Sequence, residues 1–453
     1  MRRANATWRL VAVAGAAGLV LAACSSDSDT DPTDTATDTA SAGTPLYLVD
    51  GNIGNGPLAE LPAGTLDGVK GTLPGAEASG DFKDRLNEID PSLKKIGYSY
   101  GPESYDAALV VILAAAAAES DSGRDMAEQM QAVVTGGNKC TSFDECNKML
   151  EQGDDIDYDG QSGPIEFDDF GDPTSAFVGV YQYDAENLVP GLTTDGSALN
   201  YESGQIEATK GSPDPLTSKD NRGAADDQLV LGGYLPLTGS LASLGPPEVA
   251  GVELAVQEAN AGGGVLGKDV KFFNGDSSDS ANFDKGVNTI DKQIQRGVDA
   301  IIGAASSSVS LNTLEQVTGA GILQVSPANT SPDLTVAEDS GLFFRTAPSD
   351  VLQGRVLGNL LNADGIQNVA ILSLQDAYGE GLAEYTALSF SEGGGTVLTE
   401  PDAIYYDPTA NSFSAEVTKI KGLDPDAIVL IGFDESAKVV SELVKQGIGP
   451  NSE

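Results

Sequence analysis

The sequence of 453 residues contains no histidine, one tryptophan and three cysteines. Histidine is the usual general base of hydrolytic enzymes, the usual partner of serine and cysteine nucleophiles, and a common zinc ligand. Its absence argues against ordinary nucleophilic hydrolysis and most zinc sites. The G-x-S-x-G pattern at residues 97–101, which holds a nucleophilic serine in hydrolases, therefore predicts only a glycine-rich turn. We expect a protein that is not an enzyme and that carries no cofactor or metal.

Basic residues are also scarce, because 25 Lys and Arg stand against 68 Asp and Glu, for a net charge of −43. Surfaces that bind nucleic acid need clustered lysines and arginines, so nucleic acid is not an expected partner. Docking on an anionic membrane by charge is disfavoured for the same reason. The acidity favours solubility.

Residues 1–23 have the pattern of a signal peptide, since Arg2, Arg3 and Arg9 precede the apolar segment LVAVAGAAGLVLAA. This segment is short for a membrane span. It ends in LAAC, which resembles the lipobox of bacterial lipoproteins, so Cys24 is predicted to carry a lipid anchor; a plain secretory signal is the alternative. The polar, low-complexity residues 24–44 predict a disordered tether.

Cys140 and Cys146 stand close together in KCTSFDEC. In an exported protein such a pair favours a local disulfide. Just downstream, residues 155–166 (DIDYDGQSGPIE) match the spacing of a calcium-binding loop. Ser162 and Pro164 occupy positions that are unfavourable for such a loop. A hairpin turn is therefore the favoured interpretation, and a calcium site is the alternative.

From residue 228 onward, predicted strands and helices alternate. The strands QLVLGGYLP, KDVKFFNGD, VDAIIGAA and ILQVSPA are separated by helical segments that end in glycine. A second series begins at residue 350, includes a strand predicted over residues 396–406, and ends in a helix that no strand follows. Repeated βα units of this kind form a parallel sheet with helices on both faces.

The strand that this series lacks is found near the other end of the chain, in PLYLVDG from Pro45. Placed after the last helix, it continues the βα alternation without a gap. Further strands are predicted at residues 163–169 and 175–184. Residues 190–227 are mostly polar and aperiodic, which predicts a linker.

Several motifs outside the signal, tether and linker share one family pattern: LPLTGSLASLG, GVELAVQEANAGGGVLGKDV, VDAIIGAASSSVS, ILQVSPANTSPDLT, LFFRTAPSD, QDAYGEGLAE and SYDAA. They resemble the branched-chain amino-acid-binding proteins of bacterial ABC importers, which have the type I periplasmic binding protein fold. The resemblance implies an α/β fold of two doubly wound parallel-sheet lobes with a hinged cleft. The segment from Pro45 resembles the family's C-terminal half and that from Gln228 its N-terminal half, so the chain is predicted to be circularly permuted.

The predicted organisation follows from this order: signal peptide 1–23, tether 24–44, family C-terminal half with parts of both lobes 45–189, linker 190–227, first lobe 228–349 and second lobe 350–453. Permutation is tolerated where old termini lie close together and the new ends lie in an exposed loop. One complete set of parts favours a monomer, and a swapped dimer is the alternative.

The first lobe offers hydroxyls and backbone amides at the carboxyl ends of its strands, where open α/β sheets bind ligands. Residues 306–310 are consistent either with simple capping of a helix or with binding of a carboxylate. The resemblance implies that Ser307, with Ser308 beside it, contacts the carboxylate of an amino acid. It also implies contacts from Ala328 and Thr330 after the next strand.

The second lobe offers an acid and two aromatic side chains. The resemblance implies that Asp50 binds the ammonium group of the ligand, and that Tyr378 and Phe433 contact it. From the residues alone, Asp50 also fits a simple turn and the two rings fit core packing. Many relatives carry a tyrosine where this chain has Leu244, a difference that bears on which ligand side chain is accepted.

These expectations describe a lipid-anchored receptor on the extracytoplasmic face of the cell membrane. It would capture a branched-chain or related amino acid by lobe closure and deliver it to the permease of an ABC importer. The alternative is a sensing module for an amino acid, amide or urea that reports to a signalling partner.

Overall fold

The structure, a computed structural model, describes residues 43–189, 199–202 and 226–451. The predicted signal peptide, Cys24, nearly all of the tether and most of the linker lie outside the described residues. Fifteen strands are found within the described residues: β1 Leu46–Val49, β2 Lys70–Pro74, β3 Asn138–Cys140, β4 Ile156–Tyr158, β5 Ser175–Gln182, β6 Leu199–Glu202, β7 Val230–Tyr234, β8 Lys271–Phe273, β9 Ala300–Gly303, β10 Leu323–Ser326, β11 Phe343–Arg345, β12 Asn368–Leu374, β13 Thr396–Val397, β14 Ile404–Tyr406 and β15 Ala427–Ile431.

Twelve α-helices accompany these strands in the same part of the chain: α1 Gly80–Ile89, α2 Leu93–Ile96, α3 Gly101–Ala118, α4 Gly123–Gln129, α5 Phe143–Glu151, α6 Gly245–Ala261, α7 Phe283–Arg296, α8 Ser307–Gly319, α9 Asp350–Ala363, α10 Ala377–Glu392, α11 Ser414–Leu423 and α12 Ser436–Lys445. By length and composition, α3 is the one described helix that could cross a membrane. Its 18 residues are 83% buried inside the protein, as in the core helix of a globular domain.

The first lobe is built on a five-stranded sheet in the order β11-β10-β9-β7-β8, and all of its pairs are parallel. Its central strands are continuous apolar runs, such as AIIG in β9, because helices cover both faces of the sheet. One face packs against α3 and α6, and the other against α7 and α8. The predicted doubly wound parallel sheet is confirmed for this lobe.

The second lobe is built on an eight-stranded sheet in the order β13-β12-β15-β1-β2-β5-β6, with β14 also paired to β12. The pairs from β13 to β2 are parallel, but β5 runs antiparallel to β2, and β6 antiparallel to β5. The sheet is therefore parallel, as predicted, except for two antiparallel strands at this edge. Strand β6 also lies inside the predicted linker.

Two predicted strands differ in the structure. The strand predicted over 396–406 is split into β13 and β14, because Pro401 has no N–H to donate and Thr399 Oγ1 accepts the N–H of Ile371 at 3.3 Å. The strand predicted over 163–169 forms only isolated bridges. Here Asp168 Oδ1 accepts the N–H groups of Phe170 and Asp172, which makes a turn.

The local features around the cysteine pair agree with the sequence. Cys140 and Cys146 are bonded, so the predicted disulfide is confirmed and links β3 to α5. Gly160 N–H donates to Gly163 O at 3.1 Å, and Asp159 forms an antiparallel bridge with Pro164, so the predicted hairpin turn is confirmed. Among the described residues, no group of three or more acidic or cysteine side chains is arranged to hold a metal ion.

Besides the chain between β6 and β7, three described segments join the lobes: residues 75–79 after β2, 159–174 before β5, and 346–349 after β11. A buried ion pair braces the last two. Arg345 Nε and Nη2 each donate to one carboxylate oxygen of Asp172 at 2.6 Å, and the two side chains are 0% and 2% exposed. Arg345 Nη1 also donates to Ser331 O at 2.8 Å. This pair fixes where the hinge segments meet the first lobe.

We expect Asp172→Ala to lower the free energy of unfolding by about 3–5 kcal/mol, because the Arg345 charge would be left buried without its partner. Asp144→Ala, which removes the exposed pair with Lys148, is the matched control and should cost less than about 1 kcal/mol. Urea unfolding of both variants measures the difference. Equal, small losses would show that the buried pair does not brace the hinge.

Candidate functional site

The order of the strands places a crevice in the first lobe. The sheet order reverses direction between β7 and β9, and open α/β sheets bind ligands at such a switch point, beyond the carboxyl ends of the strands. Leu241 and Leu244 lie in the loop after β7, and Ser306 and Ser307 directly follow β9. Ala328 lies in the loop after the neighbouring strand β10.

The second lobe has the corresponding arrangement. Its sheet reverses between β12 and β15, and Tyr378 and Phe433 follow these two strands. Asp50 follows β1, the next strand along. The two lobes therefore turn equivalent edges of their sheets towards each other.

The facing edges enclose one cavity. Six of the eight residues predicted to bind a ligand line it, together with others that the two lobes contribute: Asp50, Leu244, Ser307, Ala328, Tyr378 and Phe433, with Gly51, Tyr100, Leu241, Ala305 and Ser306. The volume is about 10 Å³, roughly the space of one water molecule. In this closed arrangement the lobes must separate before a molecule of the size of an amino acid can enter.

Asp50 is held firmly at the wall of this cavity. Asn52 accepts the N–H of Val49 and donates to Leu430 O, which fixes the turn that follows β1. At Gly51 a side chain would meet the ring of Phe433 at 2.5 Å, so only glycine allows this close approach. Asp50 itself has a φ of 42°, in the left-handed region that non-glycine residues rarely adopt.

The carboxylate of Asp50 is 4% exposed and accepts a hydrogen bond from Tyr100 Oη. None of the described ion pairs involves it. Burial raises the pKa of Asp50 to about 7, and the Tyr100 hydroxyl only partly offsets this. A buried carboxyl group without a cationic partner is suited to binding a cation supplied by a ligand.

The first lobe presents hydroxyl groups to the same cavity. Ser306 Oγ lines it, is buried and has no hydrogen-bond partner among the described residues. Ser307, the first residue of α8, accepts the N–H groups of Thr330 and Ser331 at 3.3 and 3.2 Å, which fixes the two loops together. The N-terminus of a helix of 13 residues with a free hydroxyl beside it favours an anion.

Aromatic and aliphatic side chains complete the wall. The rings of Tyr378 and Phe433 stack with their centroids 5.3 Å apart and 13° between planes. Tyr378 Oη is buried without a partner in the described part of the chain. Leu244, which is 7% exposed, borders the cavity from the first lobe. This surface fits an apolar ligand side chain.

Two of the predicted residues lie outside the cavity lining. Ser308 Oγ accepts the N–H of Ala377 at 2.9 Å, so it connects the lobes. Thr330 lies behind Ser307, and its carbonyl accepts the N–H of Asp350 at 2.7 Å. A second contact between the lobes joins Ser243 Oγ to Asp434 Oδ1 at 2.7 Å.

Sequence reasoning missed Tyr100, which contacts Asp50 directly. Its motif was interpreted as a glycine-rich turn, and the turn is present, since Tyr100 has a φ of 60° and lies immediately before α3. The close approach of residues 50 and 100 arises only from tertiary structure, since Asp50 follows β1 of one sheet and Tyr100 precedes α3, which packs against β9 and β10 of the other. Leu241 and Ser306 were adjacent to predicted residues and could have been found by extending those motifs.

Comparison with known proteins agrees with this geometry. The family model described as "Periplasmic binding protein" matches residues 228–452. This part of the chain is therefore similar to periplasmic binding proteins. The match leaves residues 45–189 unassigned, although they supply β1, β2 and Asp50.

Relatives within the family are named as binding proteins. The Leu/Ile/Val-binding protein homolog 2 of Brucella abortus is 32% identical over 231 residues, which are 50% of this chain and 60% of the relative. The Leu/Ile/Val-binding protein BraC3 of Rhizobium johnstonii is 31% identical over 210 residues, 46% of this chain and 56% of the relative. The matched part of the chain thus spans less than two thirds of the length of these relatives.

Among solved structures, the branched-chain amino acid transporter substrate binding protein LivJ of Streptococcus pneumoniae, solved with isoleucine, is similar to this chain. It is 29% identical, with a TM-score of 0.43 over 49% of this chain and 62% of that protein.

Proposed function

We propose that the protein is the substrate-binding component of an ABC importer and captures a free branched-chain or related amino acid between its lobes. The observation that carries this proposal is the convergence of complementary groups on one cavity. The Asp50 carboxylate comes from the second lobe, and the α8 N-terminus with the free hydroxyl of Ser306 comes from the first. These are the groups that an α-ammonium and an α-carboxylate require.

Each part of the ligand has a place in this arrangement. The ligand carboxylate lies at Ser307 and Thr330, with backbone groups near Ala328. The ammonium lies at Asp50, where it replaces the proton that the buried acid otherwise carries. The side chain lies against Tyr378 and Leu244, which favours an aliphatic group. The names of the relatives, which bind leucine, isoleucine and valine, support this ligand class.

Closure of the lobes would follow from the fact that the ligand is bound from both sides. A ligand that contacts both lobes favours the closed form by as much as its affinity for that form exceeds its affinity for the open form. In the proposed function, an ABC permease recognises the closed form. A lipid on Cys24 would hold the protein, as a monomer, on the extracytoplasmic face of the membrane.

Circular permutation is part of the proposal, and the two sheets support it. Starting from β7, the strands of the first lobe lie in the order 2-1-3-4-5. The second sheet has the same order if its strands are counted from β12. Strand β12 is then the first, β13 and β14 together are the second, β15 is the third, β1 the fourth and β2 the fifth. In the order of this chain, β1 instead comes first although it lies next to β15.

A rearranged chain tests the permutation. Residues 228–453 joined directly to residues 45–189 should fold to the same structure. Its thermal midpoint and amino-acid affinity should be close to those of the chain in its present order. Calorimetry and circular dichroism measure both. A rearranged chain that stays unfolded, while the chain in its present order folds, would contradict the permutation.

Asp50→Asn tests the site. It should weaken leucine binding by roughly 100-fold or more, because removing one partner of a buried charge pair costs about 3–5 kcal/mol. Titration calorimetry measures the loss. Asp364→Asn, which removes an exposed partner of Lys70 in the same lobe, is the control and should bind normally. Unchanged affinity in Asp50→Asn would contradict the proposed site.

Binding should also depend on pH. The pKa of Asp50 in the free protein is raised to about 7, and an ammonium group requires the ionised form. The affinity should therefore fall, by up to about tenfold per unit, as the pH drops below 7, and binding should release up to one proton there. Calorimetry in buffers of different ionisation enthalpy measures that proton. Affinity independent of pH from 8 to 5, without proton release, would contradict this account.

A further inference from the structure

A second cavity lies on the other side of Tyr100, at the hinge. It has a volume of about 260 Å³ and is bordered by the end of β2, the first crossing segment, the loop before α3, and Tyr181 of β5. Tyr100 is the residue that it shares with the cleft described above. The space is several times that of the cleft in the same structure, so a small organic molecule can enter without separation of the lobes.

Glu103 lines this hinge cavity. It lies in the first turn of α3 and is 2% exposed, and its carboxylate lies against Gly75, where a side chain would meet Oε1 at 1.8 Å. Its backbone carbonyl accepts a hydrogen bond from Thr346 Oγ1 at 2.9 Å. Glu103 thus touches two of the three described segments that join the lobes. No described ion pair involves it.

Other buried carboxyl groups lie near Glu103. Burial raises its pKa well above the usual range, and the charges of Asp106 and Asp50 raise it further. Glu248, in the first turn of α6, interacts electrostatically with Glu103. Both carboxylate oxygens of Glu248 are buried and lack a hydrogen-bond partner among the described residues. Buried carboxyl groups without a cation are unfavourable, so a cation at this position would be strongly stabilised.

The two lysine side chains that border the cavity lie at its mouth. Lys83 pairs with Glu77 at 2.9 Å, and Lys94 is exposed. The aromatic lining is suited to organic cations, since Tyr98, Tyr100 and Tyr181 all border the space. Lys83 Nζ already lies 5.6 Å from the centroid of the Tyr98 ring. Tyrosine faces attract ammonium groups, most strongly where water is excluded.

We propose that the hinge cavity is a binding site for a small organic ammonium ion, which Glu103 neutralises and the tyrosines surround. This site is separate from the amino-acid cleft and does not depend on the function proposed for it. The volume exceeds what one bare metal ion needs, and the described acidic groups do not form a metal-ligand cluster. The ion would bind at the hinge, next to Tyr100, which donates its hydroxyl to Asp50.

Calorimetric titration with tetramethylammonium chloride tests the proposal, with tert-butanol as an uncharged probe of similar shape and sodium chloride as the ionic control. The purified protein should bind one tetramethylammonium ion and neither control. Glu103→Gln should weaken this binding at least tenfold. Glu77→Gln, at the mouth of the same cavity, is the matched control and should change it less than threefold.

A second variant and a competition experiment distinguish binding at the hinge from misfolding of one variant and from binding in the cleft. Tyr98→Ala, at a half-buried position, should weaken the binding of tetramethylammonium several-fold. The test therefore does not rest on the folding of Glu103→Gln alone. Leucine at saturation should not displace the probe, and Asp50→Asn should still bind it. If leucine does not bind but the probe binds through Glu103, the amino-acid function fails and the hinge site stands.

Three results would overturn the hinge site. The first is the absence of tetramethylammonium binding up to about 100 mM, and the second is binding that Glu103→Gln leaves unchanged. The third is binding that leucine or Asp50→Asn abolishes, because it would place the ion in the cleft.

Discussion

The burial of the Asp50 carboxylate at the meeting of two lobes is the constraint on which the rest of this structure depends. Ionised carboxylates are seldom buried unless a cation accompanies them. Asp172 meets that requirement internally, since Arg345 holds it with two hydrogen bonds. Asp50 receives only the hydroxyl of Tyr100 and therefore keeps a raised pKa. The proposed ligand would supply the missing positive charge, and this ligand must enter when the lobes separate.

The fold explains why the remaining groups lie at the same place. Both sheets reverse their strand order once, and each reversal leaves a crevice at the carboxyl ends of its strands. Because the lobes face each other through these crevices, short loops after β7, β9, β12 and β15 meet without long insertions. The start of α3 lies where the two lobes meet, since Tyr100 borders both the cleft and the hinge cavity. Glu103, one turn further on, is buried beside Gly75.

Much of this could be predicted from the sequence because buried parallel strands are continuous apolar runs, and because glycines and polar loops separate them from helices. Ser307, Ala328 and Phe433 were implied by the family resemblance, and each follows such a strand in the structure. The antiparallel strand β5 could not be foreseen, since an apolar run has the same composition in either direction. Tyr100 was missed because its contact with Asp50 joins residues that are 50 positions apart and depends on tertiary packing alone.

The central claim is that one lobe binds the ammonium group of an amino acid and the other binds its carboxylate. Calorimetric titration at pH 8 with leucine, N-acetyl-leucine and leucinol tests it most directly, since each derivative removes one of the two charges. The account predicts one leucine bound per chain, and binding at least about 100-fold weaker for both derivatives. A derivative that binds as tightly as leucine, or a folded protein that binds none of the three, would contradict it.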